Sequence, residues 1–522
     1  MPIILSPYNA VWLIIIAGSL LRLTLGASIG LGVDETYVTA VARQFSLSYF
    51  DHPPLHLWII WLTTHITGSE STAVLRLPFI VLFAGTTWLM YRLTARLFGD
   101  WAGVWAALLL NVSAVFGLSG GGWILPDGPL MFCMMVVVYL LSHMFFPQER
   151  GQSLAVWLAA GVFLGLGLLS KYHAALLVLG LFIYLITSKD RRWVLATPGP
   201  YLAVFVAFIV FSPVLIWNAQ HNWVSFVFQG SRGAVSGFYP GKMLTNIAGQ
   251  AVWVLPWIWL PLIWQFTKGL GRGPARSRFN GLQDKRWFLC CLAAGPIVLF
   301  TIATLWGAQG LYHWQAPGYL LVFPLLGQAV TGWIQFARRS VRRWLTFSAA
   351  AFLLIVVILG SHTATGWIKT AEPGWFAKED PSWEALNWSN LPGTVAEKGL
   401  LDKTYNVDFL VARHWIDAGK VDYAFGGKLP LMCLDDEAHH FAFMHNPAAF
   451  RGQNALIIGQ RNMADIEKEM APYFDTIEFK GNLPIYRRGQ AEFDVAVYYA
   501  KNFKGYYPMK YGFNSKPISG GS

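Results

Sequence analysis

Apolar residues in this chain come in long uninterrupted runs, with neither the period of two of a half-buried strand nor the sustained heptads of a coiled coil. Crossing a bilayer takes about 20 mostly apolar residues. Runs of that kind fall at roughly 9–27, 74–97, 101–118, 129–146, 154–170, 172–187, 201–217, 247–267, 287–306, 316–336 and 344–366. They predict an α-helical polytopic membrane protein of about 11 transmembrane helices. The two runs that meet at Ser170-Lys171-Tyr172 read either as separate spans or as one interrupted stretch, a hairpin or re-entrant element. From Trp367 the pattern changes to mixed charge and short apolar stretches such as Ala455-Leu456-Ile457-Ile458-Gly459, followed by an acidic helical pattern from Met463 to Tyr473. Residues 367–522 therefore predict a soluble α/β domain, and residues 1–366 a membrane domain whose first outer loop is 28–73. The first run lacks a basic leader and a small-residue cleavage site, so it reads as a retained helix. The last dozen residues read as a frayed tail or a cloning remnant.

Composition agrees with the pattern. Of 522 residues 55% are hydrophobic and only 13% charged, against about 25% in soluble domains. The net charge of +11 invites a nucleic-acid reading until its distribution is seen. Up to Gly366 there are 22 Lys+Arg and 9 Asp+Glu; from Trp367 there are 17 and 19. With a cytoplasmic N-terminus, 16 of those 22 basic residues fall on internal loops, the bias that sets membrane orientation. Nucleic acid is thereby excluded as a partner, and the C-terminal domain is expected outside. Cys133, Cys290 and Cys291 lie in predicted spans and Cys433 stands alone, so no disulfide framework is available. No internal repeat was found, which weakens a transporter built from duplicated halves.

The scarce carboxylates carry the chemistry. In this topology Asp34, Glu35, Asp51, Glu70 and Asp127 face outward. Asp34-Glu35-Thr36-Tyr37 follows the first span, Asp51-His52-Pro53-Pro54-Leu55 lies further along the same loop, and Pro126-Asp127-Gly128-Pro129 opens the fourth span. A carboxylate at a membrane boundary is costly to desolvate and is a functional candidate. A helix cap is the plainer role, and Asp127 before Gly-Pro suits one. The pair Asp34-Glu35 is harder to explain that way, because a cap needs one carboxylate and adjacent like charges repel. His52 and His56, four apart beside Asp51, are weak candidates to hold a divalent cation, and Pro53-Pro54 disfavours the helix that would align them. Gly120-Gly121-Gly122-Trp123 lacks the lysine of a phosphate loop and reads as flexible re-entry of the chain.

These motifs resemble those of the GT-C glycosyltransferases. The loop from Asp34 to Leu55 with Leu75-Arg76-Leu77-Pro78, then Leu125-Pro126-Asp127-Gly128-Pro129-Leu130 and Leu168-Leu169-Ser170-Lys171-Tyr172, is similar to the protein O-mannosyltransferase group that includes the bacterial aminoarabinose lipid A transferases. The resemblance spans roughly residues 10–330. It implies a GT-C-like membrane domain with a C-terminal periplasmic α/β domain, in a bacterial inner membrane. It implies transfer of one sugar, with inversion, from a polyprenyl-phosphate donor to a lipid A or lipopolysaccharide-type acceptor at the periplasmic face. In that reading Asp34, Glu35 and Asp127 are catalytic, with Asp34 the general base. Lys171, His52, His313, Arg232 and Lys242 bind the donor phosphate, and Tyr37, Asp51 and Tyr172 line the donor and acceptor pocket. The chain departs from the family's pattern where His52 replaces a frequent Lys and where Tyr312-His313-Trp314-Gln315 replaces a frequent Arg-Tyr pair. His52 would then be a phosphate partner titrating near neutral pH. A divalent cation is a candidate cofactor, membrane lipids are expected partners, and a monomer is expected. Protein O-mannosylation is the alternative within the class, and a non-catalytic lipid-linked-sugar carrier the alternative outside it.

Overall fold

The computed structural model describes residues 5–146, 153–233, 236–275, 281–371 and 380–513; the last dozen residues lie almost wholly outside them. In chain order the membrane part contains α1 (Pro7–Ser28), α2 (Val33–Ala42), α3 (Leu55–Thr67), α4 (Thr72–Phe98), α5 (Asp100–Asn111), α6 (Asp127–Phe145), α7 (Leu154–Ser170) and α8 (Ala175–Thr187). It continues through α9 (Gly199–Gln220), α10 (Val224–Ser231), α11 (Pro240–Val254), α12 (Pro256–Arg272), α13 (Gly281–Leu305), α14 (Ala316–Leu320) and α15 (Phe323–Thr365). Every expected apolar run lies on helical chain, but the expected eleven spans are not all separate straight helices. Among the described residues six helices are long and apolar enough to cross a membrane, or up to seven if α11 and α12, bent by 112°, form one span.

The differences have local causes. Leu255 has φ +78° immediately before Pro256, and proline disfavours helix at the residue preceding it, so the run at 247–267 folds into two helices. The runs at 316–336 and 344–366 share α15, which is interrupted at Ala337 (φ −137°, ψ 43°). The run at 101–118 ends in a π-helical turn, Val115–Gly120. Large apolar side chains on α1 (Leu13, Ile16, Leu20) and α9 (Phe205, Phe208, Ile209) stay exposed, as lipid-facing positions must.

The C-terminal part adds α16 (Trp367–Ala371), α17 (Leu391–Glu397), α18 (Trp415–Phe425) and α19 (Ile466–Met470) to strands β1 (Val407–Ala412), β2 (Leu431–Cys433), β3 (Asn454–Gly459), β4 (Thr476–Arg487) and β5 (Gln490–Lys501). The sheet order is β2-β1-β3-β5-β4. β1 is parallel to β2 and β3, and β5 is antiparallel to β3 and β4. β3 is the central strand, and its Ala455–Gly459 run is buried throughout, as a strand covered on both faces requires. The expected Met463–Tyr473 helix shortens to α19 because Asn462 and Asp465 adopt φ of 56° and 52°.

One hydrophobic core joins the first loop to this domain. Leu31, Tyr37, Val41, Leu57 and Phe79 pack in the same cluster as Phe409, Val421 and Ile457. At the contact of α2 with α18, a Cβ on Gly419 would lie 2.8 Å from the Tyr37 backbone nitrogen, so the two helices approach this closely only over glycine. The loop that the sequence assigns to the membrane domain is thus packed as part of the C-terminal one. All four cysteines are free and buried.

Candidate active site

The start of α2 separates its two carboxylates. Glu35, at the third helical position, accepts from the Gly32 backbone nitrogen at 2.7 Å and so caps the helix it belongs to. Its other contacts are to Arg76 Nε at 2.8 Å, Arg76 Nη2 at 2.5 Å and the Ile124 backbone nitrogen at 3.1 Å. Arg76, itself buried, also donates to the carbonyls of Gly26, Ile29 and Gly30. Burial acts to raise the Glu35 pKa, and the Arg76 charge and these hydrogen bonds outweigh it and hold the carboxyl below its ordinary value. Its lone pairs are occupied, so the geometry makes Glu35 an anchor for α2 where sequence reasoning placed it among the catalytic groups. Asp34, one residue earlier, reaches solvent. Desolvation by the surrounding protein, then the carboxylates of Glu384, Glu35 and Asp51, raise its pKa to about 6, against a lowering by His439.

Asp51 is buried under two partners. Tyr37 donates its hydroxyl to Asp51 Oδ2, His439 Nδ1 pairs with Oδ1, and Gln229 donates to the Asp51 carbonyl. Burial opposes ionisation, but the His439 charge and these bonds bring the Asp51 carboxyl to about 2. His439 in turn is raised by Asp51 against its own burial. The next residue closes the junction: His440 donates its backbone nitrogen to the Tyr37 hydroxyl at 3.0 Å and accepts from the Phe50 nitrogen at its Nδ1, also at 3.0 Å. His439 and His440 belong to the C-terminal domain and were missed by sequence reasoning. The adjacent His-His pair in a nearly neutral domain was the available signal, but nothing local ties it to a loop 388 residues away.

Deeper in the membrane part, Lys171 Nζ lies 3.0 and 3.1 Å from the two oxygens of Asp127. Lys171 is the residue at which α7 breaks off, in extended conformation (φ −156°, ψ 137°), and the break turns its ammonium toward the first turn of α6. Ser170 reinforces the junction by donating to the Pro126 carbonyl at 2.5 Å. His52, His313 and His173 stand within electrostatic reach of this pair, and Arg232 within reach of His52. His52 and His313 are each pushed down to about 4, by burial first. That corrects the expectation that His52 changes charge near neutral pH: imidazolium is disfavoured where protein replaces water. Tyr172 approaches Ser225 Oγ at 3.3 Å. Arg232 lies over the Phe228 ring at 5.0 Å, while exposed Lys242 lies over Tyr239 at 4.3 Å.

His56 is fully buried, its ring 5.8 Å from that of His52, and neither of its nitrogens has a hydrogen-bond partner among the described residues. Among those residues no group of three or more His, Cys, Asp or Glu is arranged to hold a metal ion. Asp51 gives both oxygens to Tyr37 and His439, so it does not fit as a cation ligand beside His52 and His56. The arrangement has an accessible carboxylate at Asp34, then Asp51, then a cluster of cation and imidazole around Lys171. It can accept a proton at one end and hold an anion at the other.

Residues 51–217 match the family model described as dolichyl-phosphate-mannose-protein mannosyltransferase. The crystal structure of ArnT from Cupriavidus metallidurans bound to undecaprenyl phosphate superposes over 94% of this chain and 97% of that one, with a TM-score of 0.58 and 14% identity. The fold is therefore the GT-C arrangement of ArnT, an α-helical membrane domain with a C-terminal sheet domain. In sequence the chain is 25% identical to the lipid A galacturonosyltransferase RgtD of Rhizobium johnstonii over 332 residues, 62% of this chain and 64% of that relative. It is 30% identical to the undecaprenyl phosphate-alpha-4-amino-4-deoxy-L-arabinose arabinosyl transferase of Pseudomonas aeruginosa over 169 residues, 32% of this chain and 30% of that protein. The chain thus spans a little under two thirds of RgtD.

Proposed function

We propose that this chain is an inner-membrane glycosyltransferase that moves one sugar from a polyprenyl-phosphate carrier to a lipid A or lipopolysaccharide-type acceptor at the periplasmic face. The observation that carries the reading is the placement of solvent-reaching Asp34 near buried Asp51, which leads through half-buried His52 to the buried Lys171–Asp127 pair. The acceptor hydroxyl attacks the anomeric carbon and gives its proton to Asp34. The bond from that carbon to the phosphate oxygen breaks on the opposite side, so the configuration inverts. The carrier phosphate leaves with the bonding electrons, and its growing charge is met by Lys171 and Arg232 and by N–H groups of His52, His56 and His313. The leaving group is already a phosphate, so no second carboxylic acid is needed. Asp127 holds Lys171 at that position and Glu35 holds α2.

Similarity to lipid A and arabinosyl transferases supports the lipid acceptor. Mass spectrometry of envelope lipids from cells with and without the protein tests the reading. A lipid A or core species heavier by one sugar, present only with the protein, is the expected result. Unchanged lipids together with a newly mannosylated polypeptide would overturn it in favour of protein O-mannosylation.

A further inference from the structure

A concavity lies where the C-terminal domain faces the start of α2. It is a pocket of about 210 Å³ whose wall begins at Val33, the residue before Asp34. Drug-sized ligands occupy pockets of roughly 300–1,000 Å³, so this one has room for about one ring and none for an acyl chain. Three aromatic side chains form its apolar side: the rings of Trp383 and Trp388 lie 5.1 and 5.9 Å from that of Phe493. Its polar lining mixes donors and acceptors. Lys420 is buried and anchored on the carbonyls of Leu31 and Leu386 at 2.6 and 3.0 Å. Arg461 is held by Asp417 at 2.9 Å and is partly open, while Glu384 and Gln460 are exposed at the rim. Trp388 also lines the pocket, and its buried indole N–H has no partner among the described residues.

An anion would meet the Glu384 carboxylate here, and a hydrocarbon would strand Lys420 and the indole N–H. A polyhydroxylated ring suits both: its hydroxyls donate to Glu384 and accept from Arg461, Lys420 and Trp388, while its C–H face lies on an aromatic wall. Glu384 is also the charged neighbour acting most strongly on Asp34, which puts the pocket within reach of the base, while Asp51 connects the base to the phosphate-binding groups. We propose that this pocket between α2, α18 and the segment at Asp380–Trp388 is the acceptor subsite, seating one sugar ring of the acceptor so that its hydroxyl reaches Asp34. This rests on the glycosyltransferase reading and names what the C-terminal domain supplies to it.

The test uses the full chain in nanodiscs and two readouts. The first is binding of a deacylated, phosphorylated glucosamine disaccharide, followed by quenching of tryptophan fluorescence. The second is the KM for lipid A against the KM for the polyprenyl-linked donor. Ile416→Trp fills the pocket, and Glu384→Gln and Gln460→Ala alter its rim without touching the core. Glu384→Gln is expected to weaken disaccharide binding and to raise the acceptor KM by about tenfold or more, the loss of one hydrogen bond to a charged partner, Ile416→Trp to do the same by occupying the ring's space, and Gln460→Ala to raise it by about threefold as an exposed neutral partner. Donor KM should stay within about twofold on the same scale. Disaccharide binding that is absent from the unaltered protein, or unchanged in both rim variants, would overturn the inference even if Ile416→Trp failed to fold. Binding that depends on the rim while no sugar is transferred would leave the subsite standing and overturn the glycosyltransferase reading.

Discussion

Asp34 and Glu35 are neighbours on α2, and a helix turns consecutive side chains about 100° apart. That rotation sends Glu35 into protein, where Arg76 waits, and leaves Asp34 facing solvent. The sequence shows two adjacent acids and an arginine 41 residues on, but not which acid the arginine takes. Glu35→Gln keeps the shape and leaves a buried guanidinium unpaired, at an expected cost of about 3–5 kcal/mol of stability. A thermal midpoint unchanged from that of the unaltered protein would show that the pair does not anchor α2. Since the folded carboxyl titrates below its ordinary 4.5, its stabilising contribution is present above that pH and is lost as pH falls through the lower folded value. Asp34 is the opposite case. Its pKa is raised to about 6, so a base at this position gains its proton as pH falls through 6. The value of kcat/KM for transfer should therefore fall roughly tenfold per pH unit below about 6 and level off above it. A profile flat down to about pH 4.5 would assign the proton to another group.

Elements were legible where apolarity persists and illegible where the backbone departs from it. Each apolar run is helical, yet Leu255-Pro256 folds one run back by 112° and Ala337 breaks another. A window of hydropathy registers neither, because a kink of one residue leaves the composition unchanged. Gly120-Gly121-Gly122, read as flexible re-entry, packs closely instead. A Cβ on Gly121 would lie 2.6 Å from the Phe116 carbonyl and 2.7 Å from Arg22 Nε. Gly121→Ala is expected to destabilise by about 1–3 kcal/mol through overpacking, measured as a lowered thermal midpoint in detergent. An unchanged midpoint would mean that the turn after α5 has room to move.

At the scale of the molecule, the charge split at Gly366 falls one residue past the end of α15 at Thr365. Charge could not show that loop 28–73 and the C-terminal domain form one core, because Tyr37, Asp51 and His439 meet only after folding. Part of the site is therefore completed by a domain that carries no recognisable motif. Basic loops predict that this domain faces the periplasm. Cys433 is fully buried and is a poor reporter, so the orientation is better read from exposed Lys403. A membrane-impermeant thiol reagent should label Lys403→Cys from the periplasmic side of intact spheroplasts, and labelling only after lysis would invert the topology.

In the proposed reaction Asp34 serves as the base for transfer from a lipid-linked donor. Purified protein supplied with a radiolabelled polyprenyl-phosphate sugar and lipid A tests it most directly, comparing the unaltered chain with Asp34→Asn. Transfer of one labelled sugar by the unaltered chain is predicted, with a loss of about 100-fold to 10,000-fold in kcat for Asp34→Asn while binding of undecaprenyl phosphate is retained. Near-normal turnover by a correctly folded Asp34→Asn protein would contradict it.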